Sequence, residues 1–154
     1  MERITTRHSP LAIPDPGAPY VLEAQIGHLL RRAHQRHVAI FLDAMGEDGP
    51  TPTQFATLVK LSDAGELSQN RLGRLTAMDP ATIKGVVSRL VERGLVERQA
   101  DPHDQRRVTL RLTRQGTELV ASLLDKARQA TQSTLAPLSP AEQRRLVALL
   151  AKIA

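Results

Sequence analysis

Residues 94–113 run Gly94-Leu95-Val96-Glu97-Arg98-Gln99-Ala100-Asp101-Pro102-His103-Asp104-Gln105-Arg106-Arg107-Val108-Thr109-Leu110-Arg111-Leu112-Thr113. Leu95–Gln99 and Val108–Leu112 read as strands, and the second alternates strictly, with Val108, Leu110 and Leu112 on one face. Between them, residues 101–107 form a turn-rich loop that holds two adjacent arginines. Immediately upstream, the period is helical. A short helix starts at Ser68, with Leu72 and Leu75 expected on its buried side, and Thr76-Ala77-Met78 makes a tight turn. Asp79-Pro80 then opens a second helix, a capping aspartate followed by a proline at the first helical position. Ile83, Val86, Val87, Leu90 and Val91 recur along it until Arg93-Gly94. Two helices joined by a short turn and followed by a two-stranded hairpin make a winged helix-turn-helix. The expected fold class is therefore mainly α with a small β-hairpin wing.

The flanks are helical as well. Residues 1–19 contain Pro10, Pro14, Pro16, Pro19 and Gly17 and read as an arm without regular structure. From Tyr20 to Met45, Leu22, Ile26, Leu29, Ala33, Ile40 and Ala44 recur at helical spacing, which predicts one helix of about 25 residues. Gly46-Glu47-Asp48-Gly49-Pro50 ends it. Thr51-Pro52-Thr53-Gln54 carries a cap, a proline and a capping-box glutamine, and opens a helix with Phe55, Leu58, Val59 and Leu61 on its apolar face. Thr113 caps another long helix, reaching about Thr134, with Leu119, Leu123 and Ala127 in register. After Pro137, Ser139-Pro140-Ala141-Glu142 is a second capping box, and it opens a last helix bearing Leu146, Leu149, Leu150 and Ile153. The expected organisation is an arm (1–19), a winged-helix lobe (51–114) and a helical region built from 20–50 and 115–154, all in one integrated domain.

Composition limits the chemistry. The chain has 154 residues, 41% of them hydrophobic, enough for a core and about one domain in length. Cysteine is absent, which excludes disulfides, thiolate metal sites and cysteine catalysis. No apolar run reaches the ~18 residues of a membrane-spanning helix, and Met1–Pro10 lacks the apolar stretch of a secretory signal. The reading implies a cytoplasmic, nucleoid-associated location. The aromatics are Tyr20, Phe41 and Phe55, too few for base stacking to dominate single-strand binding. Charge is unevenly distributed. Of the 21 basic residues 17 are arginine, and residues 68–114 hold 10 basic and 5 acidic side chains, a surplus equal to the net +5 of the whole chain. The guanidinium fork suits phosphates and guanine edges.

That surplus falls on the winged helix. The face of the Asp79–Arg93 helix opposite its apolar stripe carries Ala81, Thr82, Lys84, Gly85, Ser88 and Arg89. Short side chains near a helix start allow close approach to base edges, and longer basic ones reach phosphate or guanine. Gly85 in mid-helix costs about 1 kcal/mol against alanine; close approach to DNA accounts for it, as would an internal packing contact. Ser68 and Asn70 can bond phosphates, and Ser68 can equally cap its helix. In the loop, Asp104 and Arg106 lie two apart. Their side chains can pair and aim Arg106 at the negative potential of a narrow minor groove, with Arg107 on the flanking phosphate. A surface salt bridge that merely stabilises the hairpin is the alternative.

The run from Leu95 to Gly116, with Asp104-Gln105-Arg106 leading into Leu112-Thr113-Arg114-Gln115-Gly116, resembles the wing signature of the MarR family, a D-x-R wing followed by an L-T-x-x-G helix start. Leu58, Ser68, Leu72, Ile83, Leu90 and Arg93-Gly94-Leu95 match upstream, so the likeness covers about residues 20–153. The resemblance implies a homodimer whose first and last helices interlock. Each winged helix would read one half of a pseudo-palindromic double-stranded operator. It also implies a small anionic aromatic effector held between the first two helices and the DNA-binding lobe. The matching positions are His28, Arg31, His34, Phe55 and Val59: arginine and histidine for a carboxylate, Phe55 for a ring. The run Ile26–His37 is similar to the subgroup of MarR repressors that control breakdown of nicotinate and related aromatic acids, which implies a hydroxylated pyridine carboxylate as inducer.

Other readings remain open on the residues alone. His34 and His37 lie one turn apart with His28 on the same helix, so a zinc-responsive regulator is an alternative, although no H-E-x-x-H motif occurs. No cofactor is implied. An enzyme is excluded by the lack of a glycine-rich phosphate loop, a G-x-S-x-G motif or an ordered Ser/His/Asp set. A non-specific architectural DNA-binding protein would show no preference for a palindrome. A winged helix turned to protein binding is opposed by Arg106 and Arg107.

Overall fold

The computed structural model describes residue 17, residues 19–101 and residues 104–154, without the side chains of 101 and 104–107. The chain folds as α1 (Ile26–Met45), α2 (Pro52–Ala64), β1 (Glu66–Ser68), α3 (Gln69–Leu75), α4 (Pro80–Glu92), β2 (Val96–Asp101), β3 (Asp104–Leu112), α5 (Arg114–Leu135) and α6 (Pro140–Ile153). The mainly helical fold with a hairpin wing is as the sequence predicts. Both capping boxes form: Thr51 with Gln54, and Ser139 with Glu142. Asp79 and Thr113 cap α4 and α5.

Four expectations are corrected. The helix predicted from Tyr20 begins only at Ile26. Gln25 is extended (φ −77°, ψ 135°) and separates α1 from a 3-10 turn, Leu22–Ala24. Within α1 the buried residues are Phe41 and Met45, while Ala33 and Ile26 of the predicted stripe are exposed. The stripe is buried only where α5 lies against it, so packing rather than periodicity selects its inner edge. Leu75 is also exposed. Gly73 lets Ile83 of α4 approach to 3.2 Å of where a β-carbon would stand, so α3 presents Leu72 and Gly73 inward and turns Leu75 out. Finally, the loop expected over 101–107 is mostly strand. Antiparallel pairing extends outward to Asp101 opposite Asp104, with an irregularity at Ala100/Asp101.

A third strand escaped the sequence reading. Three-residue β1 pairs antiparallel with β3, giving the order β1-β3-β2. Its pattern, one buried leucine between two exposed polar residues, is too short to stand out from the adjoining helix start. On the inner face lie Leu67, Val96, Leu110 and Leu112; the outer face is polar, with Glu97 paired to Arg111 and the Thr109 hydroxyl donating to Glu66.

The inner face closes over the main core of Leu58, Leu61, Leu72, Ile83, Val87 and Leu90. A second cluster, Phe41, Met45, Leu123 and Ala130, joins α1 to α5, with Phe55 of α2 packed against it. Below it, Arg36 donates to the carbonyls of Thr134 (2.6 Å) and Ser133 (3.2 Å), satisfying the last turn of α5 with a cation.

Where α4, the hairpin and α5 meet, the backbone is closely cross-linked. Leu95 N–H donates to the Leu90 carbonyl, Thr113 N–H to the Leu95 carbonyl, and the Thr113 hydroxyl to the Gly94 carbonyl at 2.7 Å. Gly116 N–H in turn donates to Thr113 Oγ1. A β-carbon on Gly116 would stand 2.1 Å from the Leu95 carbonyl oxygen, so only glycine fits there. Gly116→Ala is expected to destabilise the chain by roughly 1–3 kcal/mol, read as a lowered urea midpoint; an unchanged midpoint would show that this junction relaxes freely.

Candidate nucleic-acid interface

Helix α4 buries Ile83, Val86, Val87 and Leu90 and presents the opposite face. Ala81, Thr82, Lys84 and Arg89 are exposed there, and Gly85 and Ser88 are half-buried between them. From Lys84 to Arg89, the small residues Gly85 and Ser88 thus lie between two cations on one accessible surface. A β-carbon on Gly85 would meet nothing within 4 Å. Internal packing, the alternative reason for a mid-helix glycine, is thereby removed.

The start of α4 is closely tied. Thr82 donates its N–H (2.8 Å) and its hydroxyl (2.6 Å) to the Asp79 carboxylate. The Thr82 hydroxyl bond, then the backbone one, holds the Asp79 carboxyl below its ordinary value of 3.8. This depressed pKa makes the cap a contribution present above that value and lost as pH falls through the lower, folded one. Thr82 donates its hydroxyl proton within the cap, so in any further hydrogen bond its oxygen can only accept.

Its far end is tied as well, by residues the sequence reading missed. Arg93 donates Nη2 to the Asp48 carbonyl (2.7 Å) and Nη1 to Gln54 Oε1 (3.3 Å). The same Gln54 oxygen accepts from Thr51 N–H (3.1 Å) in the capping box. The Gln54 position in that box was legible; its second bond, 39 residues away, was not. Ser68 proves to be a cap, its Oγ accepting from Arg71 N–H at 3.3 Å, and it and Asn70 are both exposed. The backbone at Asp104, Arg106 and Arg107 belongs to β3, beside the tip of the hairpin. Their side chains, and with them the expected Asp104–Arg106 pair, lie outside the described residues.

The expected effector residues do not converge within one chain. Phe55 packs against Phe41, ring centroids 5.5 Å apart, and Val59 lies against the main core. At ~1.5 Å rise per residue, Arg31 and His28 lie roughly 15 and 20 Å along α1 from Phe41. They bond instead to each other, Arg31 Nη2 donating to His28 Nδ1 at 3.2 Å. His34 is exposed about 10 Å along the helix from Phe41. The histidine beside the aromatic pair is His37, whose ring centroid is 6.1 Å from that of Phe41. The Thr134 hydroxyl donates to the Ala130 carbonyl, so His37 Nδ1 is the donor in its 2.9 Å bond to Thr134 Oγ1. Among the described residues no group of three or more His, Asp or Glu side chains is placed to hold a metal ion, and no helix is long and apolar enough to cross a membrane.

Residues 51–108, the span of α2 through the first half of β3, match the family model described as "MarR family". The transcriptional repressor NicR of Pseudomonas putida is 39% identical over 97% of this chain and 95% of its own length. The chain belongs to the MarR family. A probable transcriptional regulator from Pseudomonas aeruginosa is 50% identical and superposes with a TM-score of 0.82, covering 87% of this chain and 100% of that one. BpsR of Bordetella bronchiseptica, whose DNA binding is regulated by 6-hydroxynicotinic acid, is 44% identical with a TM-score of 0.82, covering 88% of this chain and 96% of that one. As a MarR-family protein, this chain is a DNA-binding transcriptional regulator and not an enzyme.

In that light the mid-helix glycine of α4 yields a two-sided expectation. Gly85→Ala should raise stability by about 0.5–1 kcal/mol, because the new methyl meets only solvent in the free protein. The same variant should bind duplex DNA more weakly. Thermal melts and fluorescence anisotropy on the same preparation measure both; a gain in stability with unchanged affinity would show that DNA does not press on this face.

Proposed function

We propose that this protein is a homodimeric repressor that binds a pseudo-palindromic operator and is released by a small aromatic acid of the hydroxynicotinate class. The observation that carries DNA recognition is the outward face of α4. Lys84 and Arg89 flank the small residues Gly85 and Ser88 on a helix anchored at both ends, by Asp79 and by Arg93. Short side chains admit the major groove, and the flanking cations bond base edges or phosphates. Arg106 and Arg107 on the hairpin then reach the neighbouring minor groove and its phosphates.

Dimerisation is supported by apolar surface that one chain leaves bare. Helix α6 buries no residue: Leu146, Val147, Leu149, Leu150 and Ile153 are all exposed. Tyr20, Val21, Leu22 and Ile26 at the other end of the chain are exposed too. Such contiguous faces are stable in water when a copy covers them, and a two-fold axis carries two recognition helices to two half-sites. Arg31 and His34, in the N-terminal half of α1, are exposed as well. An effector site containing both these cations and an aromatic wall therefore calls for the second copy. The effector class rests on the relation to NicR and BpsR, and Arg31 and His34 are the groups suited to a carboxylate.

The direct test compares the duplex upstream of this protein's own coding region with a shuffled duplex at one salt concentration. Tight binding of one dimer to the native duplex is expected; equal weak binding to both would favour a non-specific architectural protein. Arg106→Ala is expected to lower operator affinity about tenfold or more while the dimer stays folded; unchanged affinity would sink the role of the wing.

Addition of 6-hydroxynicotinic acid is expected to release the native duplex. His34→Ala and Arg31→Ala should keep DNA binding but require more of the acid for release. Normal release from both variants would remove these residues from the effector site.

A further inference from the structure

The inner face of the sheet contains an anomaly. Residues on it alternate with the polar outer face, and register places Leu67, Val96, Arg98, Ala100, Val108, Leu110 and Leu112 together. Among the described side chains of that face, Arg98 alone is charged. An arginine at an inward strand position is costly wherever the core continues beneath it. Here the core does not continue. Val108, two cross-strand pairs further toward the hairpin tip on the same face, is 47% exposed, while Leu110 opposite Arg98 is 2% exposed. The face thus emerges from the core at Arg98 and opens into a groove of about 340 Å3 lined by Gln69 of α3, Lys84 of α4, Arg98 of β2, Val108 and Leu110.

Two cations from different elements, an amide and an apolar floor therefore share one open cleft between the recognition helix and the wing. We propose that this groove seats a phosphodiester of the DNA backbone, held by Lys84 and Arg98. The proposal rests on the DNA-binding reading above and adds to it a fixed point between helix and hairpin. The geometry requires such a point. A protein that places α4 in the major groove and the hairpin in the adjacent minor groove straddles the sugar–phosphate strand that separates them. What lies between α4 and the hairpin must accept that strand, and Lys84 and Arg98 match its charge while Val108 and Leu110 suit the apolar edge of a deoxyribose. Arg98 offers a fork of donors to two phosphate oxygens, and Lys84 adds a point charge. Gln69 can donate its amide to the same group. Such contacts position the protein without reading sequence.

The test uses the full-length protein with the native upstream duplex and its shuffled counterpart, titrated across a range of NaCl. Arg98→Ala is expected to weaken binding to both duplexes by the same factor. It should also flatten the salt dependence by about two phosphate contacts per dimer, one for each half, at a slope of ~0.9 per contact. Arg98→Lys should restore most of the salt slope and part of the affinity. Arg128→Ala, which removes an exposed arginine paired with Asp125 on α5, controls for a general loss of positive charge and should change neither quantity. Neutral methylphosphonate linkages, introduced one at a time, supply a readout that misfolding would not imitate. One linkage per half-site should weaken the wild type clearly more than Arg98→Ala, which keeps only the Lys84 and Gln69 contacts to that phosphate.

An unchanged salt slope in Arg98→Ala, or equal sensitivity of wild type and variant to every linkage, overturns the phosphate seat and leaves DNA recognition by α4 standing. Loss in Arg98→Ala confined to the native duplex also overturns it, since that is the mark of a base contact. A wild type that binds neither duplex overturns both readings.

Discussion

The Leu95 carbonyl is the point on which the DNA-binding lobe is built. It accepts the Thr113 N–H and lies so close to Gly116 that no side chain fits between them. Three elements are joined by that contact: α4 ends one turn before it, β2 starts one residue after it, and α5 begins against it. The hairpin therefore leaves the body at an angle set by main-chain hydrogen bonds, and these vary less than side-chain packing. In the proposed reading, in which α4 and the hairpin meet two neighbouring grooves, such a fixed angle keeps both in place together.

The helix is held at the other end by a different device. Arg93 reaches the connection between α1 and α2, and shares the Gln54 oxygen with the cap of α2. The orientation of α4 is thus tied to the segment that joins the lobe to α1. Helix α1 in turn is fastened to α5 through the Phe41–Leu123–Ala130 cluster, Arg36 and His37. A continuous series of packed and hydrogen-bonded groups thus runs from α1 to α4. Beyond His37 it does not continue, since neither the N-terminal half of α1 nor α6 buries a side chain. The winged helix is thus well packed in one chain, while α6 and the start of α1 expose apolar faces.

Some parts of the site were legible in the residues and others were not. The apolar stripe and the outward face of α4 follow from spacing alone, because a helix with one wholly buried face has only one other side to offer. The wing was legible through alternation and turn composition, but its strands were drawn too short, since pairing lends extended structure to residues with weak preference of their own. Phe41 and Met45 were missed because α1 carries apolar residues around more than half its circumference, and only α5 decides which are covered. Arg98 was passed over because its neighbours Glu97 and Gln99 are polar too. Its unusual position appears only once the register with Leu110 is known.

The residues expected to hold an effector show the same division most plainly. Histidine, arginine and phenylalanine of the right chemistry stand in the sequence, yet a helix separates them by ~1.5 Å for every residue between. Neighbouring residues set the elements: caps at Thr51, Asp79, Thr113 and Ser139, the turn before α4, the alternation of the wing and the surplus of arginine in residues 68–114. These are local, set by hydrogen bonds and periodicity within a few residues. Which apolar faces are buried and which stay exposed follows only from how distant segments pack. The tertiary structure also decided that Gly85 has free space beside it, that Gly116 has none, and that Arg98 faces a groove with Lys84. Each of these depends on segments far apart in the chain, and proximity in space is a property that spacing along the chain does not encode.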